Sequence, residues 1–84
     1  MIKPTIHLNG TSANALLDQY TTAGDAVRLA LEALGNAAPN GRDYYPQGPA
    51  AFEQARKEHD ARTAKLREVL VDLGELAEHV ADQE

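Results

Sequence analysis

The chain has 84 residues, a net charge of −5 and no cysteine, and these properties exclude several classes of protein. A chain this short forms a single domain (residues 1–84) and leaves much of its surface unburied, so we expect it to self-associate. The lack of cysteine excludes a disulfide scaffold, a thiol nucleophile and cysteine-based metal sites. The negative charge argues against nucleic acid as a partner, because broad nucleic-acid binding requires that phosphates be neutralised.

The first ten residues do not resemble a secretory signal, and no apolar run in the chain reaches the length that spans a bilayer. We therefore expect a cytoplasmic protein without a membrane partner. Ile2, Ile6 and Leu8 alternate with other residues as in a short strand, but Pro4 confines such a strand to an edge. Residues 1–10 are predicted as an extended arm that either lies across the helices or pairs with its own copy.

A first amphipathic helix is predicted over residues 12–37. Thr11 or Ser12 can cap its start, because either hydroxyl accepts a hydrogen bond from a free backbone N–H. Gly24 would permit a close helix crossing, and Pro39 ends the pattern. Apolar side chains recur every three or four positions, at Leu16, Tyr20, Ala23, Val27, Leu31 and Leu34.

Residues 38–48 are predicted to form a loop, because they contain a turn-forming Asn40-Gly41 pair and cannot continue either helix. A plain connector of this length is usually small and polar. This segment instead carries two adjacent aromatic residues, Tyr44 and Tyr45. We interpret it as a binding loop.

The two tyrosines of this loop allow two interpretations. Both rings could close the open end of the helices and keep their hydroxyls in water. Alternatively, one ring closes the end while the other stacks on a base or another planar group, with Arg42 or Arg56 near the phosphates.

A second, longer helix is predicted over residues 49–82, with Pro49 at its first position. At about 1.5 Å per residue it spans roughly 50 Å, against roughly 37 Å for the first helix, so part of its apolar seam calls for another chain. The predicted fold class is all-α: an antiparallel helical hairpin with a short N-terminal extended arm, assembled as a homo-oligomer. The seam has coiled-coil spacing and consists of Phe52, Ala55, His59, Arg62, Leu66, Val69, Leu73, Leu76 and Val80.

Two polar residues, His59 and Arg62, interrupt this seam. Both side chains could be solvated or could pair with acidic residues of the first helix, namely Asp18, Asp25 or Glu32. Alternatively, they form a polar pocket between the helices, in which Arg62 offers its planar guanidinium to an anion.

Charge is distributed unevenly along the second helix. Five basic and three acidic residues lie between Glu53 and Arg67, whereas six acidic residues and no lysine or arginine follow from Glu68 onward. Acidic residues near a helix C-terminus oppose the helix dipole, so helix stability does not explain the arrangement. It could serve solubility, antiparallel pairing of two copies, or a positive surface beside the tyrosines for a phosphate-bearing ligand.

The segment before the first helix is the other candidate site. Its residues either end a strand and cap a helix, or bind an anion at the free N–H groups of the helix start. Within one chain this end lies opposite the tyrosine loop, so only antiparallel pairing of protomers would unite the two. The candidate ligand-binding residues are His7, Asn9, Thr11, Ser12, Arg42, Asp43, Tyr44, Tyr45, Gln47, Arg56, His59 and Arg62.

Signatures of catalysis are weak in this sequence. His7, His59 and His79 lack the paired spacing of a metal-binding helix, and Ser12 has no adjacent base. The sequence also lacks a Gly-rich phosphate loop. We therefore predict no enzymatic activity, no catalytic residue, no metal site and no cofactor.

Two stretches, Ile6-His7-Leu8-Asn9-Gly10-Thr11-Ser12 and Asn40-Gly41-Arg42-Asp43-Tyr44-Tyr45-Pro46-Gln47-Gly48-Pro49, resemble those of a group of small proteins encoded by bacteriophages and prophages. The resemblance covers nearly the whole chain and implies a viral accessory protein. Phage proteins of this size are often counter-defence factors, and some are oligomers that sequester nucleotide immune signals such as cyclic dinucleotides or cyclic ADP-ribose derivatives.

By analogy with those factors, the predicted function is non-catalytic sequestration of a small nucleotide-like anion by a homo-oligomer in the bacterial host cell. The alternative is a protein-binding inhibitor or assembly factor. Such a factor would present an acidic helix face to a phage protein or to a host protein such as a defence protein.

Overall fold

The computed structural model describes residues 1–83, and over this range the chain is all-helical and contains no strand. Helix α1 spans Ala13–Asn36, the short helix α2 spans Gly41–Tyr44, and helix α3 spans Pro49–Ala81. A 3-10 turn at Tyr45–Gln47 connects α2 to α3. The predicted all-α class is therefore confirmed. Within the described residues, no helix is both long enough and apolar enough to cross a bilayer.

Helix α1 begins at the predicted capping site. The Ser12 hydroxyl accepts a hydrogen bond from the Ala15 N–H at 3.1 Å, so Ser12 rather than Thr11 is the cap. The helix ends at Asn36, where the Ala37 N–H donates to the Leu34 carbonyl at 3.0 Å. The end falls just before Pro39, because a proline disfavours helical geometry in the residue that precedes it.

Helices α1 and α3 pack against each other in opposite directions. A Cβ atom built on Gly24, in the middle of α1, would lie 3.7 Å from a methyl group of Leu70 in α3. The arm that precedes α1 contacts the last turns of α3 instead. Because residues further along α1 meet earlier residues of α3, the two helices are antiparallel.

The molecule is elongated, because α3 alone extends about 50 Å and α1 lies along its side. Helix α3 has 33 residues and α1 has 24, so α3 is longer by about 13 Å. The Tyr44 ring, from the connecting segment, packs 6.4 Å from the ring of Phe52 in the first turn of α3. The radius of gyration is 18.4 Å, against about 12 Å for a compact domain of this size.

Burial is scarce in this two-helix arrangement. Among the described residues, only Gly24, His59 and Val80 are classed as buried, and Val80 is the single large side chain that is fully enclosed. The accessible surface is 6177 Å², whereas a compact monomer of this mass exposes about 4,900 Å². The chain therefore exposes roughly 1,300 Å² more than its mass requires.

The N-terminal arm does not form the short strand that its alternation suggests. It has no neighbouring strand in residues 1–83, and it lies against the end of α3. The Nε2 atom of His79 donates to the Pro4 carbonyl at 2.9 Å, and the Ile6 N–H donates to the Gln83 side-chain oxygen at 3.1 Å. Within one chain, these contacts hold the arm against the C-terminal end of α3.

The predicted loop at residues 38–48 is more ordered than the sequence suggests, because its own side chains nucleate helical turns. The Asn40 side chain accepts a hydrogen bond from the Arg42 N–H at 2.9 Å and thereby caps α2. Pro46 lies in the first turn of the 3-10 segment, where its missing N–H costs nothing. Gly48, with φ of 99° and ψ of 164°, then redirects the chain into α3.

Replacing Gly48 by alanine should lower the free energy of unfolding by about 1–3 kcal/mol, because that backbone conformation is essentially restricted to glycine. Gly35→Ala is the matched control. It lies inside α1, where an added Cβ would meet nothing within 4 Å, so helix propensity should raise stability by up to about 1 kcal/mol.

Urea denaturation at one fixed protein concentration measures both changes. Equal stability of the two variants would show that Gly48 does not determine the entry of the chain into α3.

Candidate ligand-binding site

The segment between α1 and α3 presents its two tyrosines differently. Tyr44 is half-buried, and its ring is tilted by 42° against the Phe52 ring. Tyr45 is 76% exposed. The structure therefore separates a ring that packs on α3 from a ring that faces solvent.

Several polar side chains accompany Tyr45 at this end of the molecule. Arg42, Asp43 and Gln47 lie in the same short segment and are exposed. Arg56, two turns into α3, lies 3.9 Å from a carboxylate oxygen of Glu53, and both side chains remain more than half exposed. Because an ion pair in water is weak, Arg56 remains accessible to a stronger anion.

His59 and Arg62 do not share one environment. His59 is only 9% exposed and lies on the same side of α3 as Leu66, whereas Arg62 is exposed. Among residues 1–83, the ion pairs are Arg28–Asp25 at 3.2 Å and Arg56–Glu53, so Arg62 pairs with none of the acidic residues of α1. The seam is therefore interrupted by one buried imidazole and one solvated guanidinium.

The arm end of the molecule contains the remaining candidate residues. His7 closes a turn, in which its carbonyl accepts a hydrogen bond from the Gly10 N–H at 3.1 Å, and its ring covers Gly10. Asn9 and Thr11 are exposed, and the hydroxyl of Ser12 is engaged as the cap of α1.

Sequence reasoning missed the two residues that hold the arm. They are His79, in the last turn of α3, and Gln83, just beyond its end. The Gln83 side chain also contacts the His79 ring, so the pair forms one polar anchor for Pro4 and Ile6. The signal available in the sequence was their spacing of four residues, which places both side chains on one face of a helix.

A shallow recess between α1 and α3 was also missed. Its volume is about 130 Å³, and Gly24 of α1 and Gly74 of α3 both line it. The sequence signal for this recess was the pair of glycines inside the helices. Each glycine lowers helix stability, and neither lies at a turn that would require it. The other lining residues are Tyr20, Thr21, Arg28, Leu70, Leu73 and Ala77.

The candidate residues form two groups, and one chain does not bring them together. The 24 residues of α1, about 36 Å long, separate the arm with Ser12 from the segment with Tyr45. A ligand of nucleotide size therefore cannot touch both groups of a single molecule.

Comparison with known proteins adds no identity to this geometry: no family model matches the chain, and neither a curated protein nor a solved structure matches it. In the described part of the chain, no three or more histidine or carboxylate side chains are arranged to hold a metal ion. The chemistry of the site therefore rests on its own aromatic, cationic and polar residues.

Alanine substitutions of the two tyrosines should differ in their effect on the free energy of unfolding. Tyr44→Ala removes a half-buried ring and its contact with Phe52, so it should lower the free energy of unfolding by about 1–2 kcal/mol. Tyr45→Ala removes an exposed ring and should change it by less than about 0.5 kcal/mol. Urea unfolding monitored by circular dichroism tests both values, and a larger loss for Tyr45→Ala than for Tyr44→Ala would contradict the assignment.

Proposed function

We propose that the chain is a non-catalytic phage accessory protein that binds and sequesters a small nucleotide-like anion in the cytoplasm of the bacterial host, as a counter-defence factor. The observation that carries this proposal is the exposure of Tyr45. An aromatic ring that is 76% exposed, in the same short segment as Arg42, is suited to stacking on a base. Tyr44, by contrast, is half-buried against Phe52.

The cationic side chains supply the complementary half of recognition. Arg42, Arg56 and Arg62 are all exposed, and a guanidinium binds phosphate through two parallel hydrogen bonds. Residues 42–62 contain four basic and four acidic residues and are neutral overall, whereas the whole chain carries a net charge of −5. Such a distribution suits a small anion better than a long polyanion, which the remaining surface would repel.

The proposal requires an oligomer, because α1 separates the candidate residues of the arm from those of the tyrosine segment within one chain. In the assembled state, helical hairpins paired in opposite directions bring Asn9, Thr11 and Ser12 of one copy toward Tyr45 of another. The hydroxyl and amide groups then supply polar contacts around the stacked base. The assembled site would sequester its ligand by binding it without changing it chemically.

Binding is tested with a panel of cyclic dinucleotides and ADP-ribose derivatives. A ligand at about one hundred times its Kd should raise the melting temperature by on the order of 10 °C or more, because it binds only the folded state. Tyr45→Ala should weaken binding by about tenfold or more, and Tyr45→Phe, which keeps the ring, should retain most of the affinity.

The bound compound is then released by heat and analysed by liquid chromatography. Recovery of the unchanged compound supports sequestration, and recovery of a product would establish catalysis instead. A panel without any thermal shift, or equal affinity of wild type and Tyr45→Ala, would overturn the proposal.

A further inference from the structure

Helix α3 carries a second seam of heptad spacing, on the side turned away from α1. Ala64 and Val71 precede the core-facing residues Leu66 and Leu73 by two positions, which is about 200° around the helix. We call this row the outer seam. All of its members are exposed, and they alternate four and three residues apart: Lys57, Ala61, Ala64, Glu68, Val71, Glu75, Glu78 and Asp82.

The outer seam carries its apolar residues near its centre, where Ala61, Ala64 and Val71 lie on either side of Glu68. Val71 is 59% exposed, and a shallow groove of about 440 Å³ runs beside it, lined also by Ala64, Arg67, Glu68 and Asp72. Small residues at such positions let a second helix approach closely, and an isolated exposed valine gains free energy when that helix covers it.

We propose that the outer seam is the interface between two copies of this chain, with their α3 helices packed antiparallel about a twofold axis. This inference rests on the proposed function, which requires the chain to self-associate. The outer seam is the surface through which it would do so. The chain exposes roughly 1,300 Å² beyond that of a compact monomer, and a standard interface takes about 800 Å² from each partner. The surplus surface is thus enough for one such interface.

The charge order of α3 selects the antiparallel direction. A twofold axis between Arg67 and Glu68 sets each arginine opposite the glutamate of the other copy, and it sets Val71 over Ala64 at the centre. A parallel pair would instead align each residue with itself, so that Glu68 faces Glu68 and the acidic ends of both helices coincide. Like charges at such close positions destabilise a helix pair.

The same axis matches the ends of the outer seam. Lys57 of each copy lies opposite Glu78 of the other. Two like-charge pairs accompany this contact: Asp60 lies opposite Glu75, and Glu53 lies opposite Asp82, where Arg56, which contacts Glu53 in the structure, offsets the repulsion. The favourable contacts occur twice, because the interface is symmetric.

The acidic end of the seam is itself short of positive charge. A recess of about 270 Å³ is lined by Glu75, Glu78 and Asp82, with Lys3 of the arm and His79 beside them. Three carboxylates surround one lysine there, so a cation from a second copy would relieve their mutual repulsion.

The arrangement completes the two-part site. With this axis, the ends of the two α3 helices align to within about 8 Å along the axis. The segment with Tyr45 of one copy therefore lies at the same end of the dimer as the arm of its partner. Each dimer has two such ends, and each end holds residues from both chains.

Charge reversal tests the contact between Lys57 and Glu78. Either Lys57→Glu or Glu78→Lys should weaken dimerisation by about tenfold in sedimentation velocity, because two attractive contacts become repulsive, and the double variant should restore it. Glu32→Lys makes the same change of charge on α1 and should leave the dimer intact. A monomeric wild type, single variants that dimerise like wild type, or a double variant as weak as either single variant would overturn the proposal.

Disulfide cross-linking tests the register of the two helices directly. The natural chain has no cysteine, so each introduced cysteine is the only thiol in its chain. Mixing Ala64→Cys with Val71→Cys under mild oxidation should give the mixed disulfide in excess over either self-linked dimer. Predominant self-linked dimers would indicate parallel pairing and reject the proposal. Ala30→Cys, on α1, is the control for random collisions. If the outer-seam variants cross-link no more often than Ala30→Cys, the outer seam is open to another partner, such as a host protein, and the proposal is again rejected. Both experiments are run without ligand, so their outcome is independent of the nucleotide panel.

Discussion

The shortage of burial is the constraint on which the structure depends. Two helices in contact along one side share a single line of apolar residues rather than a core, and among residues 1–83 Val80 is the only large side chain that is fully buried. A domain usually needs a second layer to cover the remaining apolar faces. In this chain the arm and the tyrosine segment cover only the ends, so the long sides remain open to association.

The two sides of helix α3 therefore differ in what they contact. One side faces α1 through Leu70 and Leu73, and the other presents small and charged residues to the exterior. The acidic C-terminal half, which is unfavourable for the isolated helix, is favourable when a basic half lies across from it. In the proposed dimer, the charge order would therefore favour association, although it opposes the stability of the single helix.

The sequence was most informative where one local signal determines the structure. The Ser12 cap, the helix start at Pro49 and the all-α class follow from side-chain hydrogen bonding, the fixed φ of proline and apolar spacing, all of which act within a few residues. The arm was not predictable in the same way, because its position depends on His79, 75 residues from Pro4 along the chain. The different exposure of Tyr44 and Tyr45 likewise depends on where Phe52 lies, and periodicity alone does not specify that distance.

The exposure of Tyr45 has a spectroscopic consequence. The chain contains three tyrosines and no tryptophan, so its ultraviolet emission comes from tyrosine alone. Tyr20 and Tyr44 are half-buried, and only Tyr45 is open to solvent. The protein thus carries an intrinsic optical reporter at the place where a planar molecule would stack, and quenching of this emission can follow occupancy without an attached dye.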